Sequence, residues 1–175
     1  MDRFLASVER RALRMAQIAT GSADEALDIV QDTMLGLVQR YAGRPAEDWA
    51  PLFFQILQSR IRDWYRRGKV RSRWRALLEN LWGHEDDKED LLAQAPDPVG
   101  LTPEQELAGH DSLRALEVAL RTLPLRQQQV FLLRAWEGLS VEDTATAMGC
   151  SQGSVKTHYS RAVHRLRVLL EDYWP

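Results

Sequence analysis

The sequence has 175 residues, 45% hydrophobic and 27% charged, with a formal net charge of −2. That length holds one or two small domains, and no apolar run is long enough to cross a bilayer, so no membrane insertion is expected. Met1-Asp2-Arg3-Phe4 opens straight into an amphipathic pattern without a signal-peptide layout; Cys150 is the only cysteine, which excludes an internal disulfide and multi-cysteine zinc sites, and a cytoplasmic location is expected.

Strand signals are nearly absent and apolar residues recur at spacings of three and four, so an all-α fold is predicted. The first helix spans about 2–18 and breaks at Gly21-Ser22. Ser22 reads as an N-cap with Glu25 three residues on, a capping box. The second helix carries Leu27, Val30, Met34, Leu37 and Tyr41 on one stripe and ends at Gly43-Arg44-Pro45. The third carries Trp49, Leu52, Phe53, Ile56, Leu57, Ile61 and Trp64 on one face and runs into a basic block. From Arg60 to Arg75 eight basic residues stand against Asp63 alone.

The periodicity fades from about Leu81 to Thr102. From Glu85 to Glu106 there are eight acids and only Lys88, and Pro96 and Pro98 force extended backbone before each ring. Near-zero net charge therefore hides a basic block and an acidic one. Thr102 as N-cap and Pro103 as first helical residue restart a helix. Helices follow at about 103–122, 125–136, 141–148 and 152–172. The architecture expected is two small helical domains, 1–75 and 105–175, joined by an acidic, proline-containing linker at 76–104, the second domain containing a helix-turn-helix.

That unit is read between Ser140 and Leu169. Ser140 caps a short helix, Gly149 suits the left-handed turn after Met148, Cys150 packs inward and Ser151 caps the next helix. Val155, Tyr159, Ala162, Leu166 and Leu169 form its buried stripe. Ala145, Gly149 and Val155 have the spacing of a two-helix unit that enters the DNA major groove. The start of the second helix offers Ser151, Gln152, Ser154, Lys156, Thr157 and Ser160 for base edges and phosphates, and Arg161, Arg165 and Arg167 for phosphates. A helical hairpin with a solvated polar face would show the same spacing. His158 and His164 are read as surface residues within reach of phosphates.

Leu123-Pro124-Leu125-Arg126-Gln127-Gln128-Gln129-Val130-Phe131-Leu132-Leu133-Arg134, then Glu137-Gly138-Leu139-Ser140, then Gly153-Ser154-Val155-Lys156-Thr157, resembles region 4 of the extracytoplasmic-function (group 4) bacterial RNA polymerase sigma factors. The resemblance implies reading of the −35 promoter element and docking on the β flap of core RNA polymerase. Asp24-Glu25-Ala26-Leu27-Asp28-Ile29-Val30-Gln31-Asp32-Thr33-Met34 resembles the region 2.2 helix, which implies binding to the β′ clamp helices through the outward Asp24, Asp28, Gln31 and Asp32. Trp49 to Arg67 resembles regions 2.3 and 2.4, with Tyr41–Asp48 as the specificity loop.

That segment is expected to melt and hold the −10 element through Ser59, Arg60, Arg62, Asp63, Tyr65, Arg66 and Arg67, with Phe54, Trp64 and Tyr65 as aromatic faces for exposed bases. The chain departs from the family pattern at Leu52, Ser59, His158 and Val163. The function implied is a promoter-specificity subunit, not an enzyme, with no cofactor and no metal. Its partners would be core RNA polymerase, promoter DNA and, by family membership, an anti-sigma factor. A stand-alone helix-turn-helix regulator is the alternative, though it has no need of the basic-aromatic helix at 49–75. His84 and His110 lie among acids, but no metal-ligand spacing or glycine-rich phosphate loop accompanies them.

Overall fold

A computed structural model describes the backbone over residues 1–81 and 110–171, and side chains over 1–68 and 112–171. Most of the expected linker, the Thr102-Pro103 helix start, His84, the His110 side chain and the side chains of Lys69, Arg71, Arg73 and Arg75 lie outside the described residues. Seven α-helices and no strand occur among the described residues: α1 (Asp2–Thr20), α2 (Ala23–Tyr41), α3 (Ala46–Leu81), α4 (His110–Thr122), α5 (Leu125–Phe131), α6 (Val141–Met148) and α7 (Gln152–Leu169). The fold is all-α, as expected. A π-helical stretch, Leu132–Trp136, prolongs α5.

Local chemistry sets the breaks. Gly21 adopts φ 68° after α1, and its N–H donates to the Gln17 carbonyl. Ser22 then caps α2, its hydroxyl accepting from the Glu25 N–H at 3.4 Å. The capping box is only half made, because the Glu25 carboxylate accepts instead from the Trp64 indole N–H at 2.9 Å. That bond ties the start of α2 to α3. It also takes Trp64 out of the set of stacking faces: the ring is half-buried against the core.

In the N-terminal half Met15, Leu37, Phe53, Leu57 and Ile61 are almost fully buried. Each contributes on the order of 2 kcal/mol by leaving water. Phe4 and Phe53 meet edge to face at 5.9 Å, as do Phe53 and Phe54 at 5.5 Å. Phe54 is 2% exposed, so it is a core residue and not a base-stacking face. Two stripe assignments also change. Leu27 on α2 is exposed, and at the end of α7 Leu169 is exposed while Leu170 is buried. α3 runs through the basic block to Leu81, where the sequence periodicity fades.

In the C-terminal half Leu120, Val130, Leu133, Met148 and Val155 are almost fully buried. Phe131 stacks on Tyr159 at 6.4 Å and joins α5 to α7. The two halves also pack against each other, α3 on α6 and α1 on α4. Arg11 of α1 donates to Glu137 at 2.7 Å, and Arg14 of α1 pairs with Glu117 of α4.

Candidate nucleic-acid interface

The helix-turn-helix is built from backbone chemistry upward. Ser140 accepts from the Asp143 N–H at 3.0 Å, and its hydroxyl donates to the Asp143 carboxylate at 2.6 Å. Thr144, Ala145, Ala147 and Met148 turn inward. The turn follows at Gly149, φ 61° and ψ 50°. The Cys150 N–H reaches the Ala145 carbonyl at 3.0 Å and the Gly149 N–H reaches that of Thr146 at 3.2 Å, a Schellman closure. Cys150 is half-buried against the core, as expected of an inward-packed residue. Ser151 caps α7, accepting from the Ser154 N–H at 3.1 Å. Such a cap is worth about 1 kcal/mol and fixes where α7 begins.

Val155, Ala162 and Leu166 anchor α7 to the core. Its opposite side presents Gln152, Lys156, Thr157, Ser160, Arg161 and Arg165 to solvent. Ser154 is half-buried and its hydroxyl lies 2.9 Å from that of Ser151, so both serve the helix start. Thr157 donates back to the Gly153 carbonyl at 3.0 Å. His158 is half-buried; burial first, then Arg126 and Arg161, push its pKa below the ordinary histidine value. His164 is exposed.

The second group of candidates lies on α3. Arg60, Tyr65, Arg66 and Arg67 are exposed; Ser59, Arg62 and Asp63 are half-buried. Arg66 pairs with Asp63 at 3.0 Å, and Arg60 lies 3.5 Å from Asp32 on α2. Both pairs are exposed and contribute little to stability. Tyr65 remains the exposed aromatic of this stretch, at 38%. Arg62 is turned instead toward the C-terminal half, where it donates to the Met148 carbonyl at 3.1 Å.

On α2, Asp24, Asp28, Gln31 and Asp32 all face solvent. Sequence reasoning missed that the same surface carries exposed Leu27, Leu35 and Val38. Positions 27, 31, 35 and 38 follow a helical stripe, so the spacing held the signal. A mixed acidic and apolar face is what a docking helix shows, with apolar contacts for affinity and charge for steering.

The family model for sigma-70 region 4 matches residues 113–166, which include the helix-turn-helix and α7 as far as Leu166. ECF RNA polymerase sigma factor EcfG of Rhodopseudomonas palustris is 30% identical over 181 aligned positions, covering 99% of this chain and 89% of that protein. The chain belongs to the ECF RNA polymerase sigma factors. ECF RNA polymerase sigma factor SigL of Mycobacterium tuberculosis is likewise 30% identical, with 98% of this chain and 86% of that protein covered. Among solved structures, the sigma factor RpoE of Bartonella quintana, in complex with the anti-sigma factor NepR, superposes with TM-score 0.65 at 25% identity, covering 99% of this chain and 100% of that one. CnrH, in complex with the cytosolic domain of CnrY, shares the fold at TM-score 0.54. As a sigma factor, the chain is a promoter-specificity subunit that directs initiation by core RNA polymerase. No described helix is long and apolar enough to cross a membrane.

Proposed function

We propose a division of that work along the chain. Residues 1–75 bind core polymerase and the −10 element, 76–104 tether, and 105–175 read the −35 element. The carrying observation is α7: a serine-capped helix, held by a buried stripe, with Gln152, Lys156, Thr157, Ser160, Arg161 and Arg165 all in solvent. Gln152 and Ser160 suit base edges; Lys156, Arg161 and Arg165 suit phosphates. Ser151 and Ser154 act one step back by fixing the helix start.

On the N-terminal side, Arg60, Arg66 and Arg67 track the −10 backbone and Tyr65 offers a ring for a flipped base, with Ser59, Arg62 and Asp63 beside them. The α2 face of Asp24, Asp28, Gln31 and Asp32, with Leu27, Leu35 and Val38, meets the β′ clamp helices, and the C-terminal half docks on the β flap. An anti-sigma factor is a further partner, in keeping with the complex of the Bartonella relative. The protein works in the cytoplasm without catalytic residues or a cofactor of its own. Two weak readers on one tether reach specificity through effective concentration.

The test is abortive transcription with purified core RNA polymerase on a promoter library, with and without the protein. Initiation should depend on the protein and return two conserved elements. Gln152→Ala should relax preference only in the upstream element and Tyr65→Ala should impair opening at the downstream one. Effects exchanged between the two elements would refute the division.

A further inference from the structure

His158 lies on α7 at the edge of its exposed side, next to the stripe of Val155, Ala162 and Leu166 that enters the core. Arg161 and Arg165 follow at i+3 and i+7, on the same strip of helix and in solvent. Arg126 of α5 approaches the ring from the other side. Its guanidinium is held in place, donating to the Met148 carbonyl at 2.7 Å at the end of α6. Three nitrogen-bearing side chains from two helices therefore meet where α7 leaves the turn. No carboxylate among the described residues pairs with Arg126, His158 or Arg161.

The charges acting on the ring are Arg126 of α5 and Arg161 of α7; among the described residues, α4 and α6, also packed on α7, contribute none. Arg62 of α3 reaches the same Met148 carbonyl and adds positive charge behind Arg126, with Asp63 and Cys150 as its own neighbours. Burial and both arginines disfavour a proton on His158. A lysine or arginine there would have to stay charged, whereas a histidine can wait uncharged. An anion seated between the three reverses the balance. An opposite charge within about 4–6 Å favours the protonated ring by roughly 1–3 pH units, and the ring then becomes a second donor.

We propose that Arg126, His158 and Arg161 form one site for a DNA backbone phosphate, and that His158 takes up a proton from solvent as the phosphate arrives. The inference rests on the reading that α7 faces the −35 element. It adds Arg126 to that surface and makes upstream binding pH-dependent. Between the values for the free and the occupied ring, binding takes up a proton, so affinity falls as pH rises.

Equilibrium binding of the full chain with core RNA polymerase to promoter duplex tests it, from about pH 6 to about pH 8 at constant ionic strength. The affinity of the parent should fall with pH by up to about tenfold per unit more than that of His158→Gln. His158→Arg, which keeps its charge, should run parallel to His158→Gln. One methylphosphonate in the upstream element, neutralising the phosphate held by the site, should remove the extra slope of the parent and leave His158→Gln unchanged. Equal slopes for the parent and His158→Gln would overturn the proton uptake. An extra slope that survives neutralisation of each upstream phosphate in turn would place the proton at a base and overturn the phosphate site. In the free chain, Arg126→Gln keeps a donor for the Met148 carbonyl but removes the charge. It should raise the titration midpoint of the imidazole resonance that is missing in His158→Gln, and an unmoved midpoint would remove Arg126 from the site. If scrambling the upstream element leaves the affinity of the parent unchanged, the reading of α7 itself fails, and this site with it.

Discussion

Gly149 is the position at which the helix-turn-helix depends most directly on backbone conformation. Its φ of 61° and ψ of 50° lie in the left-handed region. A Cβ there would meet nothing within 4 Å, so a substitution is opposed only by backbone strain. For an L-residue that strain is about 1–2 kcal/mol. The stiffer unfolded chain gives back part of it, so Gly149→Ala should destabilise by ~1 kcal/mol net. For a chain of this size that lowers the melting temperature by roughly 2–4 °C. Gly149→Asn should lose about half as much, since Asn tolerates this region. Gly149→Val should lose more than Ala, because β-branching disfavours positive φ further. Urea unfolding followed by far-ultraviolet circular dichroism gives the three values, provided the slopes match that of the parent. The order Asn, Ala, Val from mildest to worst is the signature of strain. A loss above ~3 kcal/mol for Ala, or a Val no worse than Ala, would refute an origin confined to the backbone.

Three further perturbations probe the core, the seam and the DNA face. Leu57 is fully buried, so Leu57→Ala should cost about 2–5 kcal/mol in urea unfolding; less than 1 would mean that the core collapses around the gap. Burial raises the Glu137 carboxyl above the ordinary glutamate value and Arg11 pulls it back in part. Between the two values the folded chain holds a proton that the unfolded chain lacks, so this group's contribution grows as pH falls from the raised value to the ordinary one and shrinks as pH rises. The urea midpoint of the parent minus that of Glu137→Gln should therefore increase toward acid, and the opposite slope would exclude burial as the dominant cause. On promoter DNA with core polymerase, Lys156→Ala and Arg165→Ala should each reduce the salt slope by about 1 while leaving sequence preference intact. A changed preference with an unchanged slope would move those side chains from phosphate to base.

The helix boundaries were legible because their chemistry is local. Ser22, Ser140 and Ser151 each cap the helix predicted for them, and Gly21 and Gly149 take the left-handed turns. The inner stripes of α3 and α7 were legible from spacing, apart from Leu169. Spacing failed where helices use more than one face. Phe54 lies beside Phe53 on the helix circumference, and α3 is wrapped closely enough that both rings are buried. Leu27, by contrast, fits the α2 stripe by number but lies at its margin, on the surface shared with Asp24 and Asp28. Which neighbours flank a helix decides such positions, and that information is not local.

The seam between the halves was illegible for a stronger reason. Arg62 reads as one of many arginines in a basic helix, and Gln128 and Gln129 read as a polar stretch within a motif. Polar side chains are ordinarily solvated, so a sequence offers no sign that these are covered. Their burial follows from partners distant in the chain: Met148 for Arg62, Ile18 for Gln128 and Gln58 for Gln129. An apolar interface would have advertised itself as excess hydrophobic surface on each half. A polar one leaves each half hydrated when parted, which is the property that the proposed division into two DNA readers requires.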